Sequence, residues 1–511
     1  MAPLSEPLSA QPLEHFDVLI VGAGLSGIGA AYHLQDRCPG KSYAILEGRG
    51  ASGGTWDLFR YPGVRSDSDM YTLGYRFRPW RKAKAIADGP SILDYVRKTA
   101  EDYGIDKKIR FNHWVTDAAW SSADARWTVT AMRDGEEVRL SCNFLWMCSG
   151  YYRYSEGYTP EFKGVDDFKG RIAHPQHWPQ DLDCTGKRVI VIGSGATAVT
   201  LIPSLADKTA HIIMLQRSPT FMYSMPAESP FANFLSRFLP ASVTYTIMRW
   251  QRVILQQFFF KMARARPQKT KENLIEMTRS RLPSDYDVET HFTPDYNPWD
   301  QRLCLVPDDD LFEAISSGRA SVVTDEIETF TETGVKLKSG KELDADIIIT
   351  ATGLILEVLG GAKMSVDGHA VNIGETFSYK GMMYDGVPNM ASVFGYTNAS
   401  WTLRADLISE YICRLINHMD KNGFAQAVPH NDDPAMEKHP YLDFSSGYVK
   451  RAEDTLPKQG SKPPWRHPQN YAADLFGLRY GRLEDGVMEF KQHSAADADA
   501  EGRDRSRIAA E

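Results

Sequence analysis

The chain has 511 residues, past the roughly 250–300 at which one hydrophobic core stops growing, so at least two domains are expected. Apolar residues make up 42% and charged residues 24%, the balance of a soluble globular protein rather than a disordered or fibrous one. Lys and Arg total 58 against 66 Asp and Glu, a net −8 that argues against nucleic acid as a partner, and no apolar run is long enough for a spanning helix.

The first fifteen residues, MAPLSEPLSAQPLEH, have neither the basic nor the apolar region of a secretory signal, so a cytoplasmic protein is expected. The six cysteines form no CxxC pair, which disfavours a zinc knuckle and a vicinal redox dithiol. They read as small buried hydrophobes, and no metal site is predicted.

Phe16–Gly29, FDVLIVGAGLSGIG, is a β-run, a glycine cluster and the start of a helix. Gly22, Gly24 and Gly27 match GxGxxG: the first allows the tight turn, the second the approach of a pyrophosphate, the third close packing of helix on strand. Glu47 closes the next β-run, 25 residues past Gly22, where a carboxylate binds ribose hydroxyls. Trp127–Met132 and Asn143–Cys148 read as later strands, and a polar, aromatic stretch from Tyr151 to Gly186 as a crossing between domains.

Lys187–Ala198, KRVIVIGSGATA, restarts the pattern with Gly193 and Gly195. Its second strand, His211–Gln216, ends in Arg217-Ser218 rather than in an acid. A carboxylate there would repel a 2′-phosphate, whereas Arg pairs with one in a bidentate fork, so this site predicts NADPH; a solvated strand-end charge is the competing reading of Arg217. Between Ser229 and Lys271 stand eight Lys or Arg and no Asp or Glu, with Trp250 and Phe258-Phe259-Phe260 among them. That segment reads as a helical insertion whose bases face water, attract NADPH or substrate, or dock on an anionic membrane surface. Ser321–Leu337 and Glu342–Thr350 alternate as strands, and an apolar helix is expected around Asp406–Met419. The tail 494–511 has almost no large apolar residue and is predicted to be disordered.

The fold class expected is α/β: two Rossmann-like dinucleotide-binding domains with a helical insertion in the second. Residues 16–150 and 373–490 form a discontinuous FAD domain, and 151–372 an NADPH domain interrupted at about 220–300. Two dinucleotide sites describe a flavoprotein that takes hydride from NADPH; without a cysteine pair the acceptor of its electrons stays open, with O2 the leading candidate.

Two longer patterns sharpen this. Phe168, Gly170, His174, Trp178 and Pro179 complete FxGxxxHxxxWP, and Gly53-Gly54-Thr55-Trp56 precedes Tyr61-Pro62-Gly63 and Asp67 as GGxW…YPGxxxD. In these the chain resembles the type I Baeyer–Villiger monooxygenases, and nearest to it is their ethionamide-activating branch, from about Phe16 to Tyr480. The resemblance implies that an FAD C4a-peroxide inserts one oxygen atom into ketones, giving esters or lactones, with sulfides and thioamides oxidised at sulfur as side activity. It also implies that Arg302 is the active-site arginine with Asp67 as its carboxylate partner, and that His174 and Trp178 belong to a domain-junction fingerprint. Gly54 and Trp56 fall to the cofactor site; Trp56 and Trp401 are read equally as pocket lining or as core. Many relatives place Lys before the active arginine, where this chain has Gln301, leaving Arg217 as the main cation for NADP. A flavin monooxygenase acting mainly on soft N or S nucleophiles, and a non-catalytic flavin-bound redox sensor, are the alternatives.

Overall fold

A computed structural model describes residues 13–301 and 303–492. Arg302, the amino-terminal arm and the tail 494–511 lie outside the described residues. Two sheets organise the molecule. In the first, Glu14–Val21 lies between Glu136–Met147 and Tyr43–Leu46, parallel to both. Its last four residues, VLIV, are buried and place the chain's first apolar run in the centre of a layered core. Beyond Glu136–Met147, the strands Arg126–Arg133 and Trp114–Ser121 continue antiparallel as a meander.

The second sheet is wholly parallel, in the order Ala320–Thr324, His211–Gln216, Arg188–Ile192, Ile347–Thr350, Arg171–Ala173. Its central strands read VIVI and III, buried on both faces as a sheet covered by helices requires. The expected alternation across 321–350 resolves into Ala320–Thr324 and Ile347–Thr350 in this sheet and a separate antiparallel three-stranded unit, Ile327–Thr331, Gly334–Leu337 and Glu342–Asp344.

The chain returns to the first sheet earlier than residue 373. Lys363–Val366 already pairs in parallel with Trp114–Ser121, because Met364 fills the core beneath the meander. The carboxyl-terminal part then adds Met390–Ser392 to the same sheet and packs the long helix Trp401–Asn422 on Leu25–Arg37. All six cysteines are buried with free thiols.

The insertion comprises Pro230–Leu235, Ala241–Ala265, Pro267–Arg279 and Val288–Phe292, closed by Met222–Met225 pairing with Cys304–Pro307. Not all of its bases face water. Arg249 is 5% exposed, donates to the carbonyls of Tyr71 (2.9 Å) and Gly74 (2.8 Å), and pairs with buried Asp406 at 3.2 Å. Ala232, Tyr245, Met248 and Val253 join the core of the first domain. An element inserted in the second domain is thus packed on the first, since its inner face is apolar and its one fully buried cation has a carboxylate to meet.

Candidate active site

Both glycine loops open into one cleft of about 960 Å³ between the two sheets, lined by Gly22, Gly24, Glu47, Gly54, Trp56, Asp67, Gly193, Gly195, Arg217 and Ser218. Gly22 has φ +102°, and a β-carbon there would stand 2.6 Å from the Cys148 carbonyl oxygen. Gly24 faces the backbone of Gly54, whose α-carbon lies 3.4 Å from the position of a Gly24 β-carbon, and Gly54 itself has φ +56°. A side chain at Gly27 would overlap the Gly22 carbonyl, so this glycine packs the helix and does not line the cleft. In the second loop Gly193 has φ +135° and abuts the Ala351 carbonyl, while Gly195 faces open space. The helices that follow, Leu25–Arg37 and Ala196–Ala206, are capped by Gly24 and Gly195 with no side-chain hydrogen bond. Their first N–H groups therefore carry an uncompensated partial positive charge into the cleft, which suits pyrophosphate.

Glu47 is 5% exposed and holds the first loop in place: its carboxylate accepts from the N–H of Ala23 at 2.8 Å and of Arg49 at 3.0 Å. Burial raises its proton affinity above the usual carboxylate range, although both N–H bonds oppose this. Beneath Gly53-Gly54 lies an arrangement that the sequence did not signal. Buried Asp57 pairs with Arg49 (2.6 Å), Arg97 (2.7 Å) and Arg60 (2.8 Å), and Arg97 also donates to the Ser52 carbonyl at 2.9 Å. No spacing rule marks these three arginines, which come from two loop segments and a helix.

The YPGxxxD segment crosses from one domain to the other. Gly63, φ +76°, lies against Ser204 of the Ala196–Ala206 helix, and Arg65 pairs with Asp310. Tyr61 is buried in the core of the second domain, and that burial pushes its phenol up to about 12. Asp67, at the end of the segment, is exposed to the cleft.

Arg217 and Ser218 are exposed at the end of their strand, and Ser194 Oγ within the second glycine loop donates to the Ser218 carbonyl at 3.1 Å. Gln301 lines the same cleft. Arg451, absent from the sequence expectations, also lines it, its guanidinium 3.4 Å from the centre of the Tyr158 ring. Trp401 serves both roles considered for it: it lines the cleft, donates to Ser26 Oγ at 2.7 Å and stacks on Tyr151 at 5.0 Å.

The fingerprint residues stand away from the cleft. Phe168 is buried in the second domain, and a side chain at Gly170 would overlap its ring. His174 Nδ1 accepts from the Gln176 N–H at 3.2 Å, and burial lowers the ring's proton affinity. Gln176 in turn donates to the Arg153 carbonyl at 2.8 Å, so the motif fastens the crossing segment to the second sheet. Trp178 packs on the second core, and the Pro179 carbonyl accepts from the Leu182 N–H at 3.2 Å. Among the described residues no cluster of three or more His, Cys, Asp or Glu is placed to hold a metal.

Residues 86–359 match the family model of flavin-binding monooxygenase-like proteins, and 17–140 that of FAD dependent oxidoreductases. The FAD-containing monooxygenase EthA of Mycolicibacterium smegmatis is 56% identical over 484 residues, 94% of this chain and 98% of that protein. EthA of Mycobacterium tuberculosis is 56% identical over 483 residues, 94% and 99% of the two chains. Among solved structures, OTEMO in an FAD-bound form superposes with a TM-score of 0.74 at 25% identity, covering 93% of this chain and 99% of its own. An oxidized steroid monooxygenase bound to NADP gives 0.74 at 22% identity over 94% and 100%, a likeness of fold.

Proposed function

This chain belongs to the flavin-binding monooxygenase-like family as an FAD- and NADPH-dependent monooxygenase, and we propose that its main reaction is Baeyer–Villiger oxygenation. One oxygen atom of O2 enters a ketone to give an ester or lactone, and sulfides and thioamides are oxidised at sulfur as a side activity. The observation that carries this reading is that two glycine-capped helix N-termini without side-chain hydrogen bonds, following strands of different sheets, face one cleft, with Asp67 on its wall.

The residues fit both cofactors. Gly22, Gly24 and the Leu25–Arg37 helix would cradle the FAD pyrophosphate, and Glu47, which fixes that loop, would meet the ribose hydroxyls. Gly193, Gly195 and the Ala196–Ala206 helix would hold the NADPH pyrophosphate, and Arg217 would pair with the 2′-phosphate. Bound FAD supplies the hydride acceptor and the centre that activates O2. The protein supplies placement and charge. We assign Arg302 to stabilising negative charge that develops on oxygen, and Asp67 to positioning its guanidinium. Aromatic side chains, among them Tyr152, Trp401 and Phe59, give the cleft apolar walls. We infer a cytoplasmic enzyme whose basic insertion makes peripheral contact with membrane.

A panel of methyl ketones, cyclic ketones and thioethers tests the proposal, with NADPH consumption followed and products identified by mass spectrometry. Esters or lactones in step with NADPH are expected. Sulfoxides or N-oxides alone would move the assignment to a monooxygenase of soft nucleophiles.

A further inference from the structure

We propose that the insertion binds an anionic lipid bilayer by sinking an outward-facing apolar stripe of the Ala241–Ala265 helix into the headgroup region, a surface that deepens and rests on the peripheral contact inferred above. A helix on a soluble protein ordinarily turns its apolar stripe inward and shows polar residues to water. This helix buries Tyr245, Met248 and Val253, yet a second apolar row looks outward. Val243, Ile247, Trp250, Ile254 and Phe258 recur at intervals of four, three, four and four, one face of a helix, and all are exposed, Ile254 at 63% and Phe258 at 58%. Two helix cations take the inner side: Arg249 pairs with Asp406, and Arg252 lies close enough to buried Asp69 for their charges to interact. Just ahead of the helix, Phe231, Phe234 and Phe238 are exposed as well, Phe238 at 73%. A contiguous apolar face of this kind marks an interaction surface.

Charge decides what covers it. Lys261 shares the stripe, while Arg237, Arg266 and Lys269 are exposed at its ends, and 229–271 contains no acid in a chain of net charge −8. A second copy meeting this face about a two-fold axis would set these cations against themselves with no carboxylate of the segment to receive them. An anionic bilayer offers apolar depth for the stripe and phosphate for the rim. No described helix is long and apolar enough to cross a membrane, so the contact is interfacial.

Flotation of the FAD-loaded enzyme with phosphatidylglycerol–phosphatidylcholine vesicles tests this, with pure phosphatidylcholine as control and the Ile254→Glu/Phe258→Glu variant alongside. The parent should float with anionic vesicles, and the variant's partition should fall about 100-fold or more. NADPH oxidation with a water-soluble ketone should be unchanged in the variant. If both proteins float alike and molar salt strips both, the contact is charge alone; the apolar stripe is then refuted while peripheral binding stands. A parent that floats with neither vesicle refutes both. A parent that is dimeric, made monomeric by the substitutions and indifferent to vesicles would make the stripe an interface between copies and overturn the proposal.

Discussion

Arg217, which we assign to the 2′-phosphate, lines the cleft among mixed charges. The neighbouring strand ends in Asp325 and Glu326, two carboxylates that line the same cleft. Lys338 engages Glu326 at 2.5 Å and, with Arg217, holds that carboxylate below its usual range. The positive end of the site is therefore carried by Arg217 over a background that its neighbours partly neutralise. Arg217→Ala should raise KM for NADPH by about 10–150-fold, the value of one charged contact of about 1.5–3 kcal/mol, with KM for NADH nearly unchanged. Steady-state kinetics with both coenzymes decide it, and equal losses would remove Arg217 from the 2′-phosphate. The oxygenation step should separate from hydride transfer at another position. Arg302→Ala should still bind FAD and bleach it with NADPH under nitrogen, because we assign those steps to the glycine loops. Its ketone oxygenation should drop about 100–1000-fold, the cost of one preorganised electrostatic donor. Lysine should rescue it only in part, lacking the planar fork, and Asp67→Ala should be milder because the cation stays. Stopped-flow bleaching paired with product analysis separates the two steps; parental oxygenation in Arg302→Ala would make that arginine structural.

At the scale of the element, the segment from Tyr61 to Asp67 couples the two cofactor domains. Its Gly63 combines φ +76° with contact against Ser204, so a methyl group meets both backbone strain and a steric clash. Gly63→Ala should leave FAD content unchanged, since the first glycine loop is untouched, but slow FAD reduction by NADPH about tenfold or more as the domains lose alignment. Adding Ser204→Ala should restore part of the rate; if Gly63→Ala alone reduces FAD at the parental rate, the segment does not set domain alignment. How the elements read from sequence follows from their physics. Strand, glycine and helix in register are local, so both dinucleotide loops, the His211–Gln216 strand and the carboxyl-terminal helix were legible. The Asp57 cluster, Arg451 and the strand Lys363–Val366 were not, because each depends on residues brought together from distant parts of the chain. Arg249 misled for the same reason: a cation in a basic run reads as solvated until a carboxylate 157 residues away is found beside it.

Across the whole molecule, the insertion is held by a small buried ionic centre. Arg249 brings the Ala241–Ala265 helix to Asp406, which also meets His33 Nε2 at 3.4 Å and the Arg76 N–H at 3.3 Å. One helical turn on, fully buried Glu410 gathers Arg37 at 3.3 Å, Arg479 at 2.5 Å and Arg76. Burial alone would push the Asp406 carboxyl up, but His33, Arg249 and the Arg76 N–H outweigh it and hold the group below its ordinary value. A carboxyl depressed in the folded state contributes stability above its unfolded value, near pH 4, and loses that contribution as pH falls through the folded value. The insertion should therefore stay docked through neutral pH and loosen only in acid. Removing one partner at neutral pH is a harsher test than titration. Arg249→Met leaves Asp406 buried with less compensation and should cost about 3–5 kcal/mol. Replacing both, Arg249→Met with Asp406→Leu, removes the uncompensated charge and should recover much of that loss. Thermal unfolding midpoints for the parent, the two single variants and the double variant measure the coupling. Limited proteolysis locates it: Arg249→Met should be cut within 229–271 faster than the parent, with the sheets still protected. Equal stability in all four proteins would mean that apolar packing alone holds the insertion, and that the buried ion pair does not join the two domains.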